Sequence, residues 1–200
     1  MADSRRARHL GPAVRRPLIL DAALPLFAND GYDAVSMQAI ADAAEVSKPV
    51  LYSCFESKEE LFDALARREN RRLWELVDSL TPATPGGGDG DAALLEQALT
   101  GLFRAVEQAP DAIRVLYVEA RGENRIVRGR RHWHERMATH LREHAAGLDE
   151  READVLGRLL VATAELGFSV LLDPEPEWGA AELAAFLAPR LVRDLPAAVA

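Results

Sequence analysis

GYDAVSMQAIADAAEVSKPVLYSCFESKEELF, residues 31–62, decides how this chain folds. Three serines in it, Ser36, Ser47 and Ser57, stand where helices can start. A serine hydroxyl can accept one of the backbone N–H groups that a first helical turn leaves unpaired. After Ser36, the residues Met37, Ile40, Ala41 and Ala44 recur at helical spacing and define one apolar face. Glu45 and Val46 make a turn. After Ser47, Pro49 falls in a first turn, where its missing N–H does no harm. Leu51 and Phe55, four apart, point to a core, while Lys48 and Tyr52, also four apart, share another face with Ser53 nearby. Ser57 and Glu60 form a Ser-x-x-Glu capping box that opens a third helix. Two short helices around a tight turn are the geometry that sets one helix into the major groove of DNA.

Further residues in the same register precede the turn: Ile19 to Leu24, Leu26, Phe27, Gly31 and Tyr32. Together with Ser36, Met37, Ile40, Ala41, Ala44, Val46, Ser47, Lys48, Leu51, Tyr52, Phe55 and Ser57 to Glu59, they cover roughly a quarter of the chain. The stretch resembles the DNA-binding domain of the TetR family of bacterial transcriptional regulators. The resemblance implies a recognition helix at about 47–55, braced by a helix at about 36–43. It implies that Lys48, Pro49, Val50 and Ser53 face base edges, with lysine donating to guanine and proline or valine touching a thymine methyl. By the same likeness Tyr52 and Lys58 contact phosphates, Ser36 presents a helix N-terminus to the backbone, Gln38 reaches phosphate or base, and Ser47 is a further DNA-binding candidate. Any helical protein would use the three serines as caps, and capping is expected to be their main energetic role. Tyr52 can equally be packing, and Lys58 a solvated charge.

Three positions depart from the family pattern. Glu45 stands where glycine is usual in the turn; if that site needs positive φ, glutamate costs about 1 kcal/mol. Cys54 stands where histidine is common, and Pro25, inside the first helix, is expected to kink it. Cys54 is either a buried inert thiol or an oxidation-sensitive one beside Lys48 and Lys58.

Two hundred residues suffice for a DNA-binding head and a larger helical body. The one cysteine excludes an intrachain disulfide, and with no signal peptide and no apolar run seen as long enough to span a membrane, a cytoplasmic protein is expected. The net charge of −8 is unevenly spread. Residues 1–20 hold Arg5, Arg6, Arg8, Arg15 and Arg16 against Asp3, a balance of +4, which leaves −12 for the remainder. A basic arm, with Arg5, Arg6 and Arg8 tracking the DNA backbone or entering a minor groove, suits this asymmetry; the alternative is a solubilising tail.

The rest of the chain is helical by periodicity, for an all-α fold of about nine helices with no strand pattern. A fourth helix runs over 58–80, its charge run Arg67 to Arg72 expected to be solvated. The segment 81–90 is a Pro/Gly loop. A fifth helix is marked by Leu95 to Val106; Pro110 opens a sixth and Asn124 a seventh. Asp149 caps an eighth that reaches Leu172, and Trp178 to about Leu195 forms a ninth, kinked at Pro189. The expected organisation is an arm (1–16), a helix-turn-helix head (17–62) and an effector-binding and dimerisation body (63–200). The family likeness implies a homodimer through the eighth and ninth helices, for which Gly157, Ala164, Gly167, Phe186, Leu187 and Leu191 are the candidate interface. Monomer core is the other use of those residues. The likeness also implies a small-molecule effector, with Tyr117, Glu119, Trp133, His134, Met137, His140, Thr163 and Glu165 as candidate contacts. Glu165, a charge within an apolar helix, suits a ligand or an ion pair equally. His140 and His144 have chelating spacing but no third ligand, so no metal and no cofactor are expected.

No nucleophile–base set, phosphate-cradling loop or complete metal motif is present, so no catalytic residue is proposed and an enzyme is disfavoured. The expected function is a ligand-responsive dimeric repressor on near-palindromic double-stranded operator DNA. The alternatives are a helical interaction protein that kept the fold and lost DNA binding, and, behind it, a helical enzyme.

Overall fold

The computed structural model describes residues 11–80, 90–117, 123–144, 149–173, 175 and 178–194. Among these residues there is no strand, and the fold is all-α. The helices are α1 (Pro12–Ala34), α2 (Met37–Ala43), α3 (Lys48–Cys54), α4 (Lys58–Leu80), α5 (Gly90–Gln108), α6 (Pro110–Tyr117), α7 (Glu123–His144), α8 (Glu150–Leu172) and α9 (Ala180–Asp194). They fall into two compact units. The first is the chain up to Arg72 with Asp111–Ala120, and the second is Leu73–Pro110 with the chain from Arg121.

In the first unit α1, α2 and α3 pack on one another around Ile19, Phe27, Ile40, Leu51, Phe55, Leu61, Phe62 and Val115. Phe62 meets Phe27 and Tyr32 edge-on, at ring-centroid distances of 5.1 and 5.0 Å. Within α1 the only non-helical dihedrals are at Gly31 (φ 82°, ψ 161°), and Pro25 sits in helical backbone. Proline's fixed φ fits a helix, whereas φ 82° with ψ 161° is open chiefly to glycine. The backbone break expected at Pro25 therefore lies at Gly31.

The charge run on α4 is not simply solvated. Glu69 is 4% exposed and accepts from Arg68 Nε at 2.6 Å and from Arg72 Nη1 at 3.2 Å. Arg68 Nη1 also donates to Asp21 Oδ1 at 2.7 Å and to the Pro17 carbonyl at 3.3 Å. Arg67, Arg71 and Arg72 stay exposed. Helical spacing puts consecutive residues on different faces, so such a run reaches both solvent and the neighbouring helix.

In the second unit α8 packs against α5 and α7, and α9 against α5. Asp149 and Glu152 form a complete capping box at the start of α8. By length and composition α8 is apolar enough to cross a membrane, contrary to expectation, because Arg158 and Glu165 interrupt the run without reversing its character. Here it serves as a core helix with one open side. The glycines on α8 face inward. A Cβ on Gly157 would lie 2.9 Å from the Ala138 backbone nitrogen, and one on Gly167 would lie 2.2 Å from the Phe103 ring. Gly157 and Gly167 thus permit close approach inside the subunit, which corrects their expected place at a dimer interface. The ninth helix begins at Ala180 rather than Trp178, where the Glu107 carboxylate accepts from the Ala180 backbone N–H at 2.9 Å.

Candidate nucleic-acid interface

The caps build the helix-turn-helix locally. The Ser36 hydroxyl accepts from Ala39 N–H at 3.1 Å, and the Ser57 hydroxyl from Glu60 N–H at 3.1 Å. Ser47 has the extended cap backbone, but its hydroxyl makes no capping bond. Glu60 does not close the expected box on Ser57. It accepts instead from Glu56 N–H at 2.7 Å and from Arg16 at 3.1 Å.

The turn after α2 is a Schellman motif. Val46 N–H bonds to the Ala41 carbonyl at 2.9 Å, and Glu45 N–H to the Asp42 carbonyl at 3.1 Å. Glu45 takes the left-handed position, with φ 53°, the only non-glycine residue described with positive φ. The family's usual glycine is thus replaced at a site that does require positive φ. Val46 packs on the core beside Ala41, so the turn is held by apolar contact as well as by its bonds.

The result is a two-sided α3. Leu51 and Cys54 are buried, as is Phe55 just beyond the helix. Lys48, Pro49, Tyr52 and Ser53 are exposed, and Val50 is half-buried at the edge. Ser53 Oγ donates to the Val50 carbonyl at 2.7 Å, leaving its oxygen as an acceptor. Gln38 is exposed on α2, with its amide donating to Asp42 Oδ1 at 2.8 Å. Cys54 is 4% exposed, as an inert thiol would be. Arg5, Arg6 and Arg8 lie outside the described residues.

Two cations have roles that sequence reasoning missed. Lys58 Nζ donates to the carbonyls of Tyr32 (2.7 Å), Asp33 (3.3 Å) and Val35 (2.9 Å), and lies 4.5 Å from the centre of the Tyr32 ring. All three of its hydrogens close the C-terminal end of α1. A phosphate contact from Lys58 would give up one of these bonds. Arg16, counted with the arm, is folded into the head. It donates to the Cys54 carbonyl and to Glu60, and its guanidinium lies 4.1 Å from the centre of the Phe55 ring. The Glu60 carboxyl is held below its usual value of 4.5 chiefly by the Glu56 N–H; burial opposes this, and the Arg16 guanidinium adds to the lowering. Neither role leaves a local mark in the sequence, since Arg16 stands 38 positions from Cys54 and Lys58 stands 23 from Val35.

The candidate effector residues are only partly brought together. On α7, Trp133 lies 5.1 Å from Trp74 of α4, and buried His140 meets Trp74 edge-on at 6.0 Å. Arg136 stacks over Trp74 at 4.1 Å, and Asp78 Oδ1 lies 3.7 Å from His140 Nδ1. His134 and Met137 are half-buried on the same helix. Thr163 is buried on α8, its hydroxyl donating to the Leu159 carbonyl at 2.9 Å, and Glu165 is half-buried there. Tyr117 belongs to the first unit, while Glu119 and the His144 side chain lie outside the described residues. Among the described residues no three His, Cys, Asp or Glu side chains are grouped to hold a metal ion.

Residues 19–65 match the family model of bacterial regulatory proteins, tetR family. A TetR-like transcriptional regulator from Rhodococcus sp. RHA1, known from its crystal structure, is 30% identical, with a TM-score of 0.69 over 93% of this chain and 100% of that one. The chain is 48% identical over 114 residues to the HTH-type transcriptional activator FasR of Mycolicibacterium smegmatis, covering 57% of this chain and 50% of that protein. It is 35% identical over 96 residues to the HTH-type transcriptional repressor KstR of Rhodococcus jostii, covering 48% and 42%. The chain thus spans about half the length of the curated relatives it matches.

Proposed function

Because this chain belongs to the TetR family of bacterial regulatory proteins, we propose that it is a cytoplasmic, ligand-responsive transcriptional regulator acting as a homodimer on near-palindromic operator DNA. The supporting observation is the outward face of α3, where Lys48, Pro49, Tyr52 and Ser53 stand exposed on a helix anchored behind by Leu51 and Cys54. Lys48 donates to guanine, Pro49 and Val50 touch thymine methyls, and Ser53, its hydrogen already engaged, accepts from cytosine or adenine amines. Ser36, Ser47, Gln38 and Tyr52 fix the backbone register, and the Arg5, Arg6 and Arg8 arm adds phosphate or minor-groove contacts. Lys58 enters as the brace of α1 rather than as a direct contact.

The dimer forms through α8 and α9. Val155, Leu159 and Leu166 are 63%, 40% and 54% exposed in one stripe along α8, and Phe186 on α9 is 43% exposed. Half-buried Leu187 and Leu191 accompany Phe186 on α9, whereas Ala164, nine positions from Val155 and so half a turn round the helix, falls on the side of Gly157 and Gly167 and drops out of the proposed interface. In domain terms the arm is the basic segment ahead of α1, the DNA-binding domain runs from α1 to residue 62, and the effector and dimerisation domain is 63–200. A small-molecule effector binds in the body, near Trp74, Trp133 and His140, and shifts the dimer towards a conformation that no longer fits both half-sites. Repression is the primary reading. The name of the FasR relative supports activation as the second.

The test is selection of bound duplexes from a randomised pool by the full chain, followed by titration at several salt concentrations. An enriched near-palindrome is expected, and no enrichment at low salt by folded dimer overturns the proposal. Lys48→Ala should change the selected sequence at one position per half-site, with a loss of about 1–3 kcal/mol for the original operator. A reporter under that operator should rise on deletion of the regulator if it represses, and fall if it activates.

A further inference from the structure

We infer that Arg16 is a positioning residue that sets the sequence discrimination of α3 without touching DNA. The inference rests on the DNA-binding reading. Arg16 belongs to α1, yet it converges on three places at the far end of α3. Its Nη1 donates to the carbonyl of Cys54, the last residue of that helix. Its Nη2 bonds to Glu60 on the first turn of α4 at 3.1 Å. Its guanidinium plane lies 4.1 Å from the centre of the buried Phe55 ring, the residue that ends α3. Glu60 in turn accepts from Glu56 N–H at 2.7 Å, which fixes the chain between α3 and α4.

Only a planar, forked cation serves all these contacts together. A guanidinium can donate to a carbonyl and a carboxylate while its face covers an aromatic ring, whereas an ammonium offers neither the fork nor the plane. α3 has seven residues, and its exposed base-facing candidates occupy almost its whole length. With so short a helix, the placement of its C-terminal end decides the angle at which Lys48, Pro49 and Ser53 are presented. Productive hydrogen-bond geometry tolerates only small displacements. Releasing Arg16 therefore loosens the aim of α3 and leaves its chemistry unchanged.

The experiment measures the full chain on two duplexes: the one selected by wild type from a randomised pool, and a shuffled version of it. For Arg16→Gln, the ratio of the two affinities should fall about tenfold. The slope of log affinity against log salt should stay within half a unit of wild type, because no phosphate contact is removed. Arg16→Lys should recover little of the ratio. Glu60→Gln, which frees one end of the fork, should lower the ratio in the same direction by a smaller factor. Arg16→Gln with an unchanged ratio overturns the inference, and so does equal weakening on both duplexes with a slope reduced by about one, the mark of a direct phosphate contact. If Arg16→Gln does not fold, Glu60→Gln decides, and an unchanged ratio there overturns the inference. A wild type that enriches no sequence overturns the DNA reading and this inference with it. A wild type that selects normally, beside variants that discriminate equally well, overturns this inference alone.

Discussion

Glu45 is the residue at which this chain departs from its family and accepts strain in doing so. A side chain at φ 53° crowds its own backbone, and the Schellman turn needs that conformation. Glu45→Gly should therefore raise stability by about 1 kcal/mol, seen as a higher midpoint in urea with an unchanged slope. A fall in the midpoint would mean that the glutamate side chain makes a favourable contact that outweighs the strain. Glu60 allows a prediction about pH. Its carboxyl is held below the usual 4.5, first by the Glu56 N–H and next by Arg16, so the fold favours the ionised form. Its contribution is present in full above that usual value and is lost as pH falls through the lower, folded-state value. Glu60→Gln should be less stable than wild type at neutral pH, and the gap should close in acid below pH 4.5. The group is about a third exposed, so solvent screening keeps the effect small. A gap that is constant with pH would assign the difference to packing instead.

Individual helices show how the same residue type serves different ends. α8 has glycines on its buried side and large aliphatic residues on its open side. The glycines let α7 and α5 approach, and the contact at Gly157 is with backbone, which cannot swing aside. Gly157→Ala should cost about 1–3 kcal/mol through overpacking, measurable by denaturation, even though alanine is the better helix former. No loss would mean that α7 can shift at little expense. α4 makes the corresponding point with charge. A run that reads as solvated holds Glu69 and Arg68 inward and ties α4 to Asp21 and Pro17 of α1. Removing one partner of such a pair is more damaging than its exposed neighbours suggest, because the other charge stays buried.

For the whole molecule, the exposed side of α8 bears on assembly. Val155, Leu159 and Leu166 follow the spacing of a helix-packing seam, and an exposed apolar stripe of this kind invites cover. Leu159→Glu combined with Leu166→Glu should convert a dimer to monomer by light scattering while helix content is kept. A dimer that survives both changes would place the interface elsewhere. The monomeric variant should also lose operator affinity steeply, since one head contacts only a half-site.

The order of the helices and most of their starts were legible in the chain, because a cap and an apolar period are local properties. Ser36, Ser57 and Asp149 cap as their positions suggest. The positive φ at Glu45 could be anticipated only as a condition, since the turn's hydrogen bonds had to be seen before its conformation was known. The partners of Arg16, Lys58 and Arg68 were beyond local reading. The Arg16 bond to Cys54 spans 38 positions, and the Arg68 bond to Asp21 spans 47. A long cationic side chain has many places to go, and only the packed helices decide which carbonyl or carboxylate it meets. The inward turn of Gly157 and Gly167 has the same origin. A helix apolar nearly all round carries no mark of which side its neighbours cover, and that choice belongs to the tertiary structure.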